Sequence, residues 1–260
     1  MKIPLNDLYK KKELNQASHF FQFMKQMKMG EIIESYRQLR DEEAPQRKNA
    51  YFVDTHNGIS SSGSSSNRNE EHLAIALFNA SRDNKIFKLP DDRVLEFIDY
   101  QTPLKSKQNN KGIGKIDLFG LIDNKQPTVI ELKIQSKRGG LADTPLRALL
   151  EGLAYCAIIE KNLQKISDEA SIKFNKELNK KLTLIILAPD EYWKSYINNK
   201  STGDWFPEIN KISNAIQEEL NIEIMLLAIT DSKFNMGLAG APAKLIGQCD
   251  LVRVETMVLS

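Results

Sequence analysis

Two short runs of this chain, residues 182–188 and 222–229, are almost wholly apolar, and a segment of helical period precedes each, at 144–161 and 207–220. Runs of that length and composition read as strands covered on both faces. A third apolar run, at 127–135, follows two further strand-like stretches at 93–103 and 115–123. A helix carrying Leu73, Ala74, Leu77 and Ala80 precedes all of them, with Ser66 or Asn67 placed to cap it. The element order is then helix, three strands, helix, strand, helix, strand. That alternation predicts an α/β fold in which helices pack against a mixed β-sheet.

The remainder of the chain is less constrained. Residues 16–43 carry Phe20, Phe21, Met24, Met27, Ile32, Ile33, Tyr36 and Leu39 at mostly three- and four-residue spacing. This predicts a helix broken at Gly30, whose Met-rich stripe either packs on its own domain or receives a protein partner or a second copy. Residues 57–67 are rich in Ser and Gly and have no means of burying apolar surface. The expected organisation is a helical N-terminal extension (1–56), a flexible linker (57–67) and a main domain (68–260).

Composition excludes several classes. At 260 residues, 41% hydrophobic and 27% charged, the chain is neither disordered nor fibrous, and its apolar runs fall short of the ~18 residues that span a bilayer. Two cysteines, Cys156 and Cys249, make no disulfide framework or zinc site, and the N-terminus lacks the apolar core of a signal peptide, so a cytoplasmic location without membrane association is expected. Three scattered histidines without cysteine partners argue against zinc as well. Overall charge is close to balanced at +2. Between residues 105 and 147, however, Lys105, Lys107, Lys111, Lys115, Lys125, Lys133, Lys137, Arg138 and Arg147 face only Asp117, Asp123, Glu131 and Asp143. Such a window is either a solvated face or a landing strip for phosphates.

Chemistry concentrates in two neighbouring strands, Lys115-Ile116-Asp117-Leu118-Phe119-Gly120 and Thr128-Val129-Ile130-Glu131-Leu132-Lys133-Ile134. Period-two alternation puts Glu131 and Lys133 on one face of a strand too apolar to be exposed on both. If the strands pair, Asp117 joins them at the same end of the sheet. Buried charges need partners or a metal, and two carboxylates form a hard-oxygen site suited to Mg²⁺ or Mn²⁺. The same acid-to-lysine spacing recurs at Asp83, Asp123 and Asp231, but there in turn-like sequence.

Asp117, followed after thirteen residues by Glu131-Leu132-Lys133, resembles the signature of the PD-(D/E)XK nuclease superfamily. The proline usual before the first acid is replaced by Ile116. The resemblance covers about half the chain and leaves residues 1–56 aside. It implies a restriction-endonuclease-like fold and phosphodiester hydrolysis, in DNA more than RNA, leaving a 5′-phosphate. By the same resemblance Asp117 and Glu131 hold Mg²⁺ (or Mn²⁺), the Leu132 carbonyl is a further ligand, Glu70 of the first helix completes the shell, and Lys133 positions the attacking water. Glu70, rather than Glu71, lies on the apolar stripe of its helix. Arg147, Glu151 and Tyr155, spaced by four on the helix after the motif, are accessory candidates. The competing expectation is a catalytically silent nucleic-acid-binding or assembly module on the same fold.

Overall fold

The computed structural model describes residues 4–60, 68–106, 113–135, 143–230, 233–235 and 240–258. The N-terminal part is helical: α1 (Leu5–Leu8), α2 (Ala17–Gln26) and α3 (Met29–Gln38). Helix α4 (Asn69–Arg82) leads into β1 (Phe87–Lys88), β2 (Val94–Pro103), β3 (Lys115–Ile122) and β4 (Gln126–Leu132). Helices α5 (Pro145–Lys161) and α6 (Leu163–Phe174) connect β4 to β5 (Leu182–Pro189). Helices α7 (Asp190–Ile197) and α8 (Trp205–Leu220) then lead to β6 (Ile222–Ile229). The chain ends with β7 (Lys233–Asn235), β8 (Lys244–Ile246), β9 (Leu251–Arg253) and α9 (Val254–Val258).

Seven strands form one mixed sheet in the order β1-β2-β3-β4-β5-β6-β9. Neighbours from β1 to β4 are antiparallel, β4-β5-β6 are parallel, and β9 returns antiparallel to β6. Parallel pairing needs helical crossovers, and the α5-α6 and α7-α8 pairs supply them. The expected mixed sheet flanked by helices is thus present.

Alternation along the strands separates two cores. Leu184, Ile186 and Ala188 of β5 and Ile222 and Ala228 of β6 join α5 and the N-terminal helices on one face. Ile185 and Leu187 of β5 and Met225, Leu227 and Ile229 of β6 join α4 on the other. Helix α5 begins with Pro145 at a position where the missing N–H is harmless, after Thr144, whose hydroxyl accepts the Arg147 N–H. It lies close against β5 because residue 152 is glycine, where a Cβ would stand 2.4 Å from Leu184 Cδ1. Among the described residues no helix is long and apolar enough to cross a membrane.

Three expectations need correction. The N-terminal helix breaks at Met27 and Lys28, both in extended backbone, whereas Gly30 sits inside α3. The corner is required because the two stripes face different neighbours: Phe20 of α2 meets Tyr196 and Trp205, while Tyr36 of α3 donates to Glu160 Oε2 of α5 at 2.5 Å. Phe20, Met24, Ile32, Ile33, Tyr36 and Leu39 are buried within this chain and Phe21 and Met27 are partly buried against the same core, so the stripe packs on its own domain. Helix α4 starts after Arg68, not at a Ser66 or Asn67 cap, residues that lie outside those described. Finally, residues 57–60 of the expected linker are fixed. Gly58 N–H donates to Tyr100 Oη (3.2 Å), Asn79 Nδ2 donates to the Gly58 carbonyl (2.8 Å), and Ile59 bridges Pro242. The rest of that segment, 61–67, lies outside the described residues.

Candidate active site where two strands part

Strands β3 and β4 pair from Ile122–Gln126 to Leu118–Ile130, where their ladder ends. Strand β3 continues beside β2, through Ile116–Thr102 and Lys115–Pro103. The chain after β4 stays with β5, the Lys133 N–H donating to the Leu187 carbonyl at 3.0 Å. Asp117 sits where they part, and its Oδ2 accepts the Leu132 N–H at 2.9 Å. The carboxylate takes the place of the next ladder bond. Its Oδ1 accepts from Gln101 Nε2 at 3.2 Å.

Glu131 and Lys133 are both 3% exposed, and Lys133 Nζ donates to Glu131 Oε1 at 2.7 Å. The other oxygen, Glu131 Oε2, is buried without a hydrogen-bond partner. Helix α4 brings Glu70 to the same place: its carboxylate accepts from the Ile134 backbone and feels the charge of Lys133. Glu71 instead pairs with Arg68 at 3.4 Å. From α5, Glu151 acts electrostatically on Glu70, Asp117 and Glu131, and its Oε1 accepts the Tyr155 hydroxyl at 2.8 Å. Arg147 does not pair with Glu151 four residues on; it turns back to Asp143 at 2.5 Å, leaving its buried Nε unpartnered. Gly114 makes room for Tyr155, since a Cβ there would lie 2.2 Å from the hydroxyl.

The electrostatics follow from four carboxylates around one ammonium. Burial pushes the Asp117 carboxyl up to about 6; Lys133 opposes this, and Glu70 and Glu151 reinforce it. Burial also raises Glu131 well above its ordinary value, against the pull of Lys133 and with Asp117 and Glu151 adding to the rise. Glu70 is raised by burial too. Burial works against the charge on Lys133, yet Glu131 foremost, then Glu70, Asp117 and Glu151, hold its pKa well above the usual lysine range. The site is therefore short of positive charge.

That shortage and the unpartnered Glu131 oxygen fit a cation. Hard carboxylate oxygens from Asp117 and Glu131 are the donors Mg²⁺ and Mn²⁺ prefer. The fit is limited in one respect: among the described residues no group of three or more His, Cys, Asp or Glu side chains is placed to hold a metal ion. The structure therefore draws Asp117, Glu131, Lys133 and Glu70 together, with Glu151 and Tyr155 beside them and Arg147 turned away.

Two residues escape a reading by motif. Tyr9, just after α1, is 3% exposed and lies within the fields of Glu151, Glu131 and Arg147. Burial, with Glu151 next, raises its hydroxyl pKa well above the usual tyrosine range. Its segment is tied down where the Thr144 hydroxyl donates to the Leu14 carbonyl at 2.5 Å. Gln101 is the other. No local signal marks Tyr9, whose neighbours in the site, Glu131, Arg147 and Glu151, lie more than a hundred residues away, and an amide inside a strand is an ordinary surface choice. Of the positive window, Lys107, Lys111, Lys137 and Arg138 lie outside the described residues. Set against protein-family models, curated proteins and solved structures, the chain matches none.

Proposed function

We propose that this protein is a metal-dependent nuclease that hydrolyses phosphodiester bonds, with DNA the favoured substrate, on a restriction-endonuclease-like fold similar to the PD-(D/E)XK superfamily. The observation that carries the reading is the meeting of Asp117, Glu131 and Lys133 where β3 and β4 part, with one buried Glu131 oxygen unpartnered. A strand salt bridge alone would need neither Asp117 nor the further acids Glu70 and Glu151 around a single lysine.

Asp117 and Glu131 would hold Mg²⁺ or Mn²⁺, with the Leu132 carbonyl and Glu70 completing the shell. Such an ion supplies Lewis-acid charge and acidifies a water at neutral pH. The chain's own residues do the rest. Lys133 stays charged because carboxylates surround it, so it can orient a water through its donors and offset charge developing on phosphoryl oxygens. Tyr155 fixes the orientation of Glu151 by its hydrogen bond. The closed Lys133–Glu131 pair and the lack of a third converging ligand among the described residues favour a second reading, a silent nucleic-acid-binding module. Incubation with plasmid, linear and single-stranded DNA and with RNA, in Mg²⁺, Mn²⁺ or EDTA, separates the two. Metal-dependent cleavage that is lost in Lys133→Met supports the nuclease; binding without cleavage on every substrate supports the module.

A further inference from the structure

We propose that Gln101 is a positioning residue for Asp117, held in a left-handed backbone kink by a brace of His56, Asp99 and Thr102. The proposal rests on the reading of Asp117 as a metal-holding acid. Gln101 has φ +50° although it lies inside β2, flanked by the regular pairs Tyr100–Leu118 and Thr102–Ile116. Glutamine has neither the missing Cβ of glycine nor the short side chain that lets asparagine adopt this conformation readily. Such a residue persists only where its surroundings over-determine it, and strain of this kind gathers at functional sites.

The surroundings are on either side of the kink. Asp99 is 3% exposed, and its Oδ2 accepts the Thr102 hydroxyl at 2.7 Å, closing a bridge over residues 100 and 101. Its Oδ1 contacts His56 Nδ1 at 2.6 Å, and the His56 ring stacks on Tyr100 with centroids 4.6 Å apart. Tyr100 is held in turn by the Gly58 N–H. Residues 99, 100 and 102 are thus each fastened through their side chains. Residue 101 carries the bend, and its amide is delivered to Asp117 Oδ1. That donor fixes one oxygen of the acid while the Leu132 N–H fixes the other, so the carboxylate's plane is set before any ligand arrives. For backbone strain alone, glycine at 101 would serve better.

Two substitutions separate positioning from packing. Gln101→Met removes the amide and keeps the strain; Gln101→Gly removes both. Calorimetric titration with Mn²⁺ should show affinity reduced about tenfold or more in each. Thermal melts in EDTA should rank Gln101→Gly above Gln101→Met, since both lose the bond to Asp117 and only glycine relieves the backbone strain. Thr102→Val, which takes one hydroxyl from the brace, should lower Mn²⁺ affinity in the same direction by a smaller factor. Equal Mn²⁺ affinity in wild type and Gln101→Met overturns the positioning role and leaves the metal reading standing. A Gln101→Gly protein that melts below Gln101→Met overturns the strain argument. Wild-type protein that binds no Mn²⁺ overturns the metal reading and this inference with it.

Discussion

Asp117→Asn should change the slope of stability against pH rather than simply lower stability. In the folded chain burial holds the Asp117 carboxyl at about 6, against an ordinary 3.8. Between those values the native state keeps a proton that the unfolded chain has released. Stability therefore falls as pH rises through this window and stays low above it. A gap of about two pH units, at ~1.4 kcal/mol each, amounts to about 3 kcal/mol. Asparagine cannot ionise, so that penalty disappears. It also has one acceptor oxygen where Asp117 serves both the Leu132 N–H and the Gln101 amide, and losing one bond costs about 1 kcal/mol at every pH. The variant should accordingly be weaker than wild type by about 1 kcal/mol near pH 4 and stronger by about 2 kcal/mol at pH 7 to 8, the sum of those two terms. Urea unfolding in EDTA at several pH values, followed by the fluorescence of the buried Trp193 and Trp205, measures the difference. Titrating groups away from the site cancel between the two curves, and Glu131, whose pKa Asp117 helps to raise, shifts in the same direction as the effect sought. A stability difference that does not vary between pH 4 and 8 would refute the reasoning.

Lys133→Met strips Glu131 of its ion-pair partner in a buried site, so the metal-free variant should lose about 3–5 kcal/mol. Mn²⁺ affinity should hold or tighten, and turnover per folded molecule should fall about 10²–10³-fold; undiminished turnover rules out the catalytic assignment. At the opposite end of the sheet, the Arg93 guanidinium forks onto both oxygens of Glu223 (2.9 and 2.5 Å). Although burial opposes it, this pairing holds the Glu223 carboxyl below its ordinary range, a contribution present at neutral pH and lost as pH falls through the folded value. Arg93→Met should cost about 1.5–3 kcal/mol at pH 7 and less at pH 3, as chemical denaturation would show. Gly114→Ala should push Tyr155 off Glu151 and lower cleavage without touching an acid; a crystal structure with the 2.8 Å bond intact would contradict this.

How much of this was legible beforehand depends on the range of the forces involved. Strands β2 to β6 declare themselves through local apolar runs, and their observed ends fall close to the expected ones. Helix α5 is equally plain, with its Thr-Pro start and continuous apolar stripe. Helix α6 is not, because only Ile166 and Ala170 are buried, leaving no periodicity to read. Helix α7 is short, and its buried residues are the aromatics Tyr192, Trp193 and Tyr196, which suit a strand as readily. In the site, Asp117, Glu131 and Lys133 could be found because two adjacent strands carry them. The Arg147–Asp143 pair was decided by a rotamer, Tyr9 by a chain reversal, and Gln101 by a backbone kink. Spacing by four offers Arg147 both Asp143 and Glu151 and does not choose between them, while Tyr9 and Gln101 leave no mark at that level.

The docking of the N-terminal helices also fixes when they can fold. Tyr36 and Arg40 meet Glu160, the Tyr51 and Phe52 N–H groups meet Glu169, and Arg37 reaches Glu219. During synthesis at roughly 5–20 residues per second, helices α2 and α3 would leave the ribosome on the order of ten to forty seconds before α8 does. In that interval Phe20 lacks the Tyr196 and Trp205 rings it packs against in the folded chain. Contacts so distant in sequence also slow folding, because the intervening loop must close before they form. Helices α2 and α3 are thus made well before α8, the element that completes their docking.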